Sequence, residues 1–299
     1  MGTDCVTYVD IHCHGALGHD FDTADVDGVS AAIGHHAALG TGALVMSLVS
    51  APVDRLAQRL RYLRGVLPAI PGALGVHLEG PFLAPDRRGA HALDALCEPT
   101  PAAVDALLEA GEGIVKQVTI APELPGAMDA VRRFTGAGVA VAVGHTQADQ
   151  EIAARAFDAG AVLLTHAFNA MPGLGHRAPG PVGAALERDH VVLEVIADGM
   201  HVHPTMIRTL FAAAPGRVAL VSDAMSATGL GDGQYLLGEL AVDVRAGRPV
   251  LHGTDTLAGS TLTIARAVEV AVAAGVAREE AVAAGSVVPA RVLNLPLPR

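Results

Sequence analysis

A closed parallel (β/α)8 barrel is the fold the sequence predicts, and two observations predict it. Eight short apolar runs alternate with helical patterns along the chain, and such alternation builds a parallel sheet whose crossovers are helices. Imidazole and carboxylate side chains stand where five of those runs end, the rim at which barrel enzymes assemble their sites. An open doubly wound sheet would bury its strands equally well but would scatter such groups.

In chain order the strand runs are Thr7–Ile11, Ala43–Leu48, Leu74–Leu78, Lys116–Ile120, Val139–Val143, Val162–Leu164, Val191–Ile196 and Val218–Val221. Each gap has room for a helix. Clear helical patterns cover Asp54–Leu67, Pro101–Ala110, Met128–Thr135, Asp149–Asp158 and Thr205–Ala213, most of them closed by Gly or Pro. After the eighth run, Tyr235–Asp243 and Pro249–Leu251 flank a Gly-containing turn and read as a small hairpin inserted before the last helices. No linker, low-complexity tract or short-period repeat interrupts the chain, so residues 1–299 read as one barrel domain.

The composition fits that architecture: 51% of the 299 residues are hydrophobic and Trp is absent, with Ala, Val and Leu spread over short segments as buried parallel strands require. Twenty Lys plus Arg against 31 Asp plus Glu leave a net charge of −11, which argues against contact with a nucleic-acid backbone. An anionic ligand must therefore meet a local basic group. The three cysteines, Cys5, Cys13 and Cys97, form no C-x-x-C pair and suit a reducing compartment. With neither a signal-peptide pattern nor an apolar stretch long enough to span a bilayer, the expected setting is the cytoplasm, without a membrane partner.

The chemistry begins with His12-Cys13-His14 at the end of the first run. Strand side chains alternate, so the two imidazoles face one side and can share a metal. Glu79 ends the third run; burying a carboxylate there is costly unless it is paired or bound to a cation. His145, His166 and Asp223 close the fifth, sixth and eighth runs. This donor set suits one or two divalent ions with a position left for water, and Zn2+ is the expected ion. A metal-activated water and a nearby carboxylate point to amide hydrolysis. His77, two residues before Glu79, shares its face and reads as a core or supporting group; His35, His36 and His190 read as surface or helix-end residues.

The order of these motifs resembles the amidohydrolase superfamily, and within it the N-acetylglucosamine-6-phosphate deacetylases. The resemblance runs nearly the whole chain, through Val9–Gly15, His77–Pro85 with Arg87–His91, Thr119–Glu123, Gly144–Thr146, Thr165–Pro172, Arg177–Gly183, Ala197–His203, Ser222–Gly229 and Leu257–Thr263. It implies that Glu79, His145 and His166 hold the main metal, that Asp223 is the general acid/base and that His91 polarises the acetyl carbonyl. His12 and His14 allow a second ion sharing Glu79 or Asp223. Substrate contacts are implied at Ala90, His91, Asn169, Ala170, Arg177, Asp198, Gly199, Met200, His201, Leu257, Ala258 and Gly259. Arg177 and His201 are the expected partners of a 6-phosphate, since a guanidinium can donate two hydrogen bonds to one phosphate. A homodimer is implied, with one phosphate contact coming from the neighbouring subunit. Relatives carry a small β-sandwich domain built from segments flanking the barrel, and this sequence reads as a barrel without it. Two other readings stay open: deacetylation of a different N-acetyl amino sugar, and a catalytically silent sugar-phosphate binding protein.

Overall fold

Runs of β-branched and aliphatic residues bounded by turns fold as the strands they predict. The structure is a computed structural model and describes residues 7–294. Its main sheet has eight parallel strands in sequence order: β1 (Tyr8–Cys13), β2 (Thr41–Leu48), β3 (Ala73–Glu79), β4 (Val115–Ile120), β5 (Ala140–Val143), β6 (Leu163–Leu164), β7 (Val192–Ile196) and β8 (Val218–Val221). The end of β1 meets the segment after β8: Asp223 N donates to His12 O at 2.8 Å and His14 N to Ala224 O at 2.7 Å. Eight strands wound in order and joined across this seam make a (β/α)8 barrel.

Helices α1 (Val26–Ala38), α2 (Val53–Val66), α3 (Pro101–Ala110), α4 (Ala127–Gly136), α5 (Gln150–Asp158), α6 (Gly180–Leu186) and α7 (Pro204–Ala213) follow the first seven strands, and α8 (Ile264–Ala273), α9 (Arg278–Ala284) and α10 (Val287–Val292) close the chain. Local chemistry sets several starts. Asp25, Thr100, Asp149 and Thr263 each accept a backbone N–H of the first turn, satisfying a donor that a helix N-terminus leaves open. In α2 the residues Leu56, Leu60 and Leu63 are buried on one stripe, and in α4 Phe134 packs toward Phe82 with ring centroids 6.4 Å apart. These stripes seal the outside of the barrel.

The insertion after β8 contains the expected hairpin, with Val242 opposite Leu251 and Asp243 opposite Val250 across the Gly247 turn, and adds a strand to it. Gly238 (φ +57°) and Glu239 form a two-residue turn within Tyr235–Asp243, a position that glycine fills without strain. The result is a three-stranded antiparallel sheet, β9 (Gly233–Leu237), β10 (Leu240–Arg245) and β11 (Arg248–Leu251). Leu237, Val242 and Val244 pack with Val49, Ala90, Met225 and Ala258 in an apolar cluster separate from the main core, so this sheet roofs one side of the barrel mouth. Among the described residues no helix is long and apolar enough to cross a membrane. Cys13 is buried and Cys97 exposed, both as free thiols; Cys5 lies outside the described residues.

Candidate metal centre and substrate cleft

The barrel interior is unusually polar beneath the mouth. His77, fully buried, bonds Ser47 Oγ through Nδ1 (2.9 Å) and Thr119 Oγ1 through Nε2 (2.8 Å), and Thr119 Oγ1 meets Thr165 Oγ1 at 2.8 Å. Burial pushes the His77 imidazole well below its usual range, with the neighbouring His12 acting in the same direction. It is a neutral supporting group under Glu79. His36, expected at a helix end or on the surface, lies in the last turn of α1 but is buried, its Nε2 3.2 Å from Gly15 O and 3.3 Å from Cys13 Sγ. The helix packs that turn against the strand-one end, which removes its imidazole from solvent. His190 is half-buried with Nε2 3.3 Å from Phe157 O.

Above this layer the six predicted ligands converge. Their donor atoms form two groups, His12 with His14 and Asp223, and Glu79 with His145 and His166, each with atoms within 4.8 Å of one another and every residue buried. Glu79 lies between them: its carboxylate is 3.0 Å from His145 Nε2, 3.2 Å from His166 Nε2, 3.2 Å from His14 Nε2 and 3.5 Å from His12 Nε2. Asp223 Oδ1 is 3.2 Å from His14 Nε2 and 3.5 Å from His12 Nε2. Three of the ligands, His145 (φ +48°), His166 (φ +24°) and Asp223 (φ +50°), hold left-handed backbone conformations. Each costs on the order of 1–3 kcal/mol and is retained where it aims a side chain at a functional site.

The donor chemistry fits a cation. His145 Nδ1 donates to Arg87 O at 2.8 Å, so in the neutral ring the Nε2 lone pair points at the Glu79 carboxylate and at His166 Nε2, 3.0 Å away. His12 repeats the arrangement: Nδ1 donates to Glu194 Oε2 at 3.1 Å, while Nε2 is buried without a hydrogen-bond partner. Acceptors that face acceptors repel unless a proton or a metal ion lies between them. The site's own electrostatics say the same. Burial opposes charge on His14, yet Asp223 and Glu79 prevail and hold its imidazole up at about 10. Burial likewise favours neutral carboxyls, but His12 and its neighbours pull both Glu79 and Asp223 below the usual carboxylate range. Without an ion, Glu79 and Asp223 are balanced by charged imidazoles; divalent ions held by these six residues would take over that positive charge.

A cleft of about 570 Å3 opens over this floor. His91 lines it, accepting Ser50 N at Nδ1 (3.1 Å), which leaves Nε2 as the N–H donor; burial holds its imidazole down at about 4 against the pull of Glu79. Ala90, Asn169, Ala170, His201, Leu257 and Gly259 also line the cleft. Asp198 stands behind His201, with Oδ2 2.7 Å from its Nδ1 and Oδ1 accepting the Met200 and His201 amides. Gly199 (φ +81°) makes that turn, Met200 is exposed, and Ala258 is buried under the inserted sheet. Arg177 is exposed and is not part of the cleft wall.

Sequence reasoning quoted Arg87 and Arg88 within a matched segment but gave them no role, and it passed over Arg248 at the mouth and two buried groups below it, Glu194 and Gln117. A signal for Glu194 was present. It is the one carboxylate inside the apolar run Val191–Ile196, and the burial cost that singles out Glu79 applies to it equally.

A barrel whose rim gathers four imidazoles and two carboxylates defines the class of metal-dependent hydrolases in which the ions lie at the C-terminal ends of the strands. The chain belongs to the amidohydrolase family, whose model matches residues 6–297, and within it to the N-acetylglucosamine-6-phosphate deacetylases. It is 39% identical to an N-acetylglucosamine-6-phosphate deacetylase of Vibrio furnissii, over 87% of this chain and 66% of that protein. It is 38% identical to an N-acetylgalactosamine-6-phosphate deacetylase of Escherichia coli O157:H7, over 97% of this chain and 78% of that protein. Among solved structures, an N-acetyl-D-glucosamine-6-phosphate deacetylase variant of Mycobacterium smegmatis, in complex with N-acetyl-D-glucosamine-6-phosphate, superposes with a TM-score of 0.94 at 42% identity, covering 98% of this chain and 78% of that one.

Proposed function

We propose that the protein hydrolyses the acetamide of N-acetylglucosamine 6-phosphate, releasing acetate and glucosamine 6-phosphate. The observation that carries the reading is the convergence of Glu79, His145, His166, His12, His14 and Asp223 at the floor of a cleft that is also lined by His91 and His201. Glu79, His145 and His166 would hold one divalent ion, and His12, His14 and Asp223 a second, with Zn2+ the favoured metal. Bound there, the metal supplies a water of lowered pKa and a Lewis acid for the acetyl oxygen. Asp223, anionic and 8% exposed at the cleft floor, takes the proton of the attacking water and delivers it to the departing sugar nitrogen. His91, a neutral donor at Nε2, hydrogen-bonds the acetyl oxygen as charge develops on it.

His201, oriented by Asp198, and Asn169 with Ala170 bind the phosphate end, while Leu257, Ala258 and Gly259 shape the sugar side. Arg177 faces solvent rather than its own cleft, and this supports a homodimer in which it reaches the phosphate in the neighbouring subunit. Free thiols and an acidic surface suit a cytoplasmic enzyme. The similarity to the E. coli N-acetylgalactosamine-6-phosphate deacetylase, within one per cent of the identity to the Vibrio protein, favours the 4-epimer as the second reading.

Steady-state kinetics of acetate release on the two 6-phosphates and on unphosphorylated N-acetylglucosamine tests the proposal. The gluco 6-phosphate is expected to give the highest kcat/KM, and Arg177→Met to raise KM about tenfold or more for phosphorylated substrates only, as loss of a charge-assisted pair would. Equal turnover with and without the phosphate would overturn the substrate assignment; preference for the galacto 6-phosphate would select the second reading.

A further inference from the structure

We infer that Glu194 is a positioning residue that makes the second ion site: by fixing the ring of His12 it decides whether this chain holds two divalent ions or one. The inference rests on the metal-hydrolase reading above and adds a residue to it. Glu194 lies in the middle of β7 with no solvent exposure. A carboxylate so placed requires several donors, and it has three. Gln117 Nε2 donates to Oε1 at 2.7 Å, and Oε2 accepts both His12 Nδ1 at 3.1 Å and the His166 amide at 3.3 Å.

The geometry assigns the His12 proton. A carboxylate accepts only, so the hydrogen is on Nδ1 and the lone pair on Nε2, directed at Glu79 and Asp223. Carboxylate contacts of this kind hold a ligating imidazole in the right tautomer and raise its basicity. Glu194 touches both ligand groups, but only in the second does it hold a ligand's ring: in the first it meets the His166 backbone amide, and His166 Nδ1 has no hydrogen-bond partner. In the first, His145 is oriented by the carbonyl of Arg87, a backbone contact. In the second, His14 Nδ1 has no hydrogen-bond partner, so among the described residues Glu194 is the outside support for that group's imidazoles. Without it, His12 is free to carry its proton on Nε2, where it cannot ligate, or to rotate.

Metal titration of the full chain with Zn2+ against a chelating indicator, with bound metal counted by elemental analysis, tests the inference. The wild type is expected to bind two ions. Glu194→Ala should keep the tighter one and weaken the other roughly 10–100-fold, with Glu194→Gln, which preserves shape and can still accept from His12, falling between. An Ala variant that binds both ions like the wild type, or that weakens both equally, overturns the inference. If Glu194→Ala does not fold by circular dichroism, Glu194→Gln decides: a loss confined to the weaker ion supports the inference and unchanged affinities for both overturn it. A wild type that binds a single ion also overturns it while leaving the deacetylase reading intact. Two bound ions without acetate release would do the reverse.

Discussion

At the residue scale, the site is a set of buried polar groups that satisfy one another only in part, and the unsatisfied remainder defines its chemistry. Five imidazoles surround Glu79 within 3.5 Å, an arrangement with no use in a core, since each buried polar group left without a partner costs about 1–3 kcal/mol. His36 shows the opposite case, a buried imidazole with a structural role. Burial lowers its pKa from 6.5 to about 4. Its neutral form therefore contributes stability that is present above the unfolded value and is lost as pH falls through the folded one. In metal-free protein, lowering the pH from about 7 to 4 should destabilise the wild type by about 3 kcal/mol more than His36→Gln, read from denaturant unfolding at each pH. Parallel curves for the two proteins would contradict a neutral, buried His36.

The convergence of the six proposed ligands was legible because each closes an apolar run, where a charged or imidazole side chain is costly to bury without a partner. Glu194 was harder to see. It stands inside its run rather than at the end, and only the barrel brings His12 of β1, Gln117 of β4 and the His166 amide just after β6 to it. Arg177 shows a further limit: its residue type fits a phosphate, yet the fold of one chain leaves it outside the cleft wall.

Elements were read to within a few residues because their signals are local. Pro101–Ala110 is a helix with the predicted bounds, opened by the Thr100 cap. The strand pattern of β3 ends on Glu79 as the sequence suggests. The hairpin across the Gly247 turn was legible, but the extra strand was not, because Tyr235–Asp243 reads as one apolar stretch and the turn within it rests on a single glycine. That sheet is anchored mainly through the small cluster of Leu237, Val242 and Val244 against the barrel mouth. Leu237→Ala should cost about 2–5 kcal/mol locally. Amide hydrogen exchange is expected to accelerate across residues 233–251 while the barrel strands keep their protection. Faster exchange throughout the barrel would show that the roof and barrel are one cooperative unit.

For the whole molecule, parallel strands converge their C-terminal ends on one rim, so ligands separated by more than 200 residues, such as His12 and Asp223, meet within 3.5 Å. Alternation of runs and helices told of the barrel, and the matched family confirms the class to which it belongs. The substrate enters from the relatives and from the cleft chemistry rather than from the fold. The function proposed for this site turns on Asp223, which moves the proton in hydrolysis of an N-acetyl hexosamine 6-phosphate once the site is loaded with metal. Acetate release from N-acetylglucosamine 6-phosphate by Zn2+-loaded wild type and Asp223→Asn, with sugar-phosphate binding followed by calorimetry, puts that role to the test. The wild type should turn over, and the variant should still bind the sugar phosphate while its kcat falls about 10²–10⁴-fold. Wild-type protein that holds metal and sugar phosphate yet releases no acetate, or a variant as fast as the wild type, would contradict the claim.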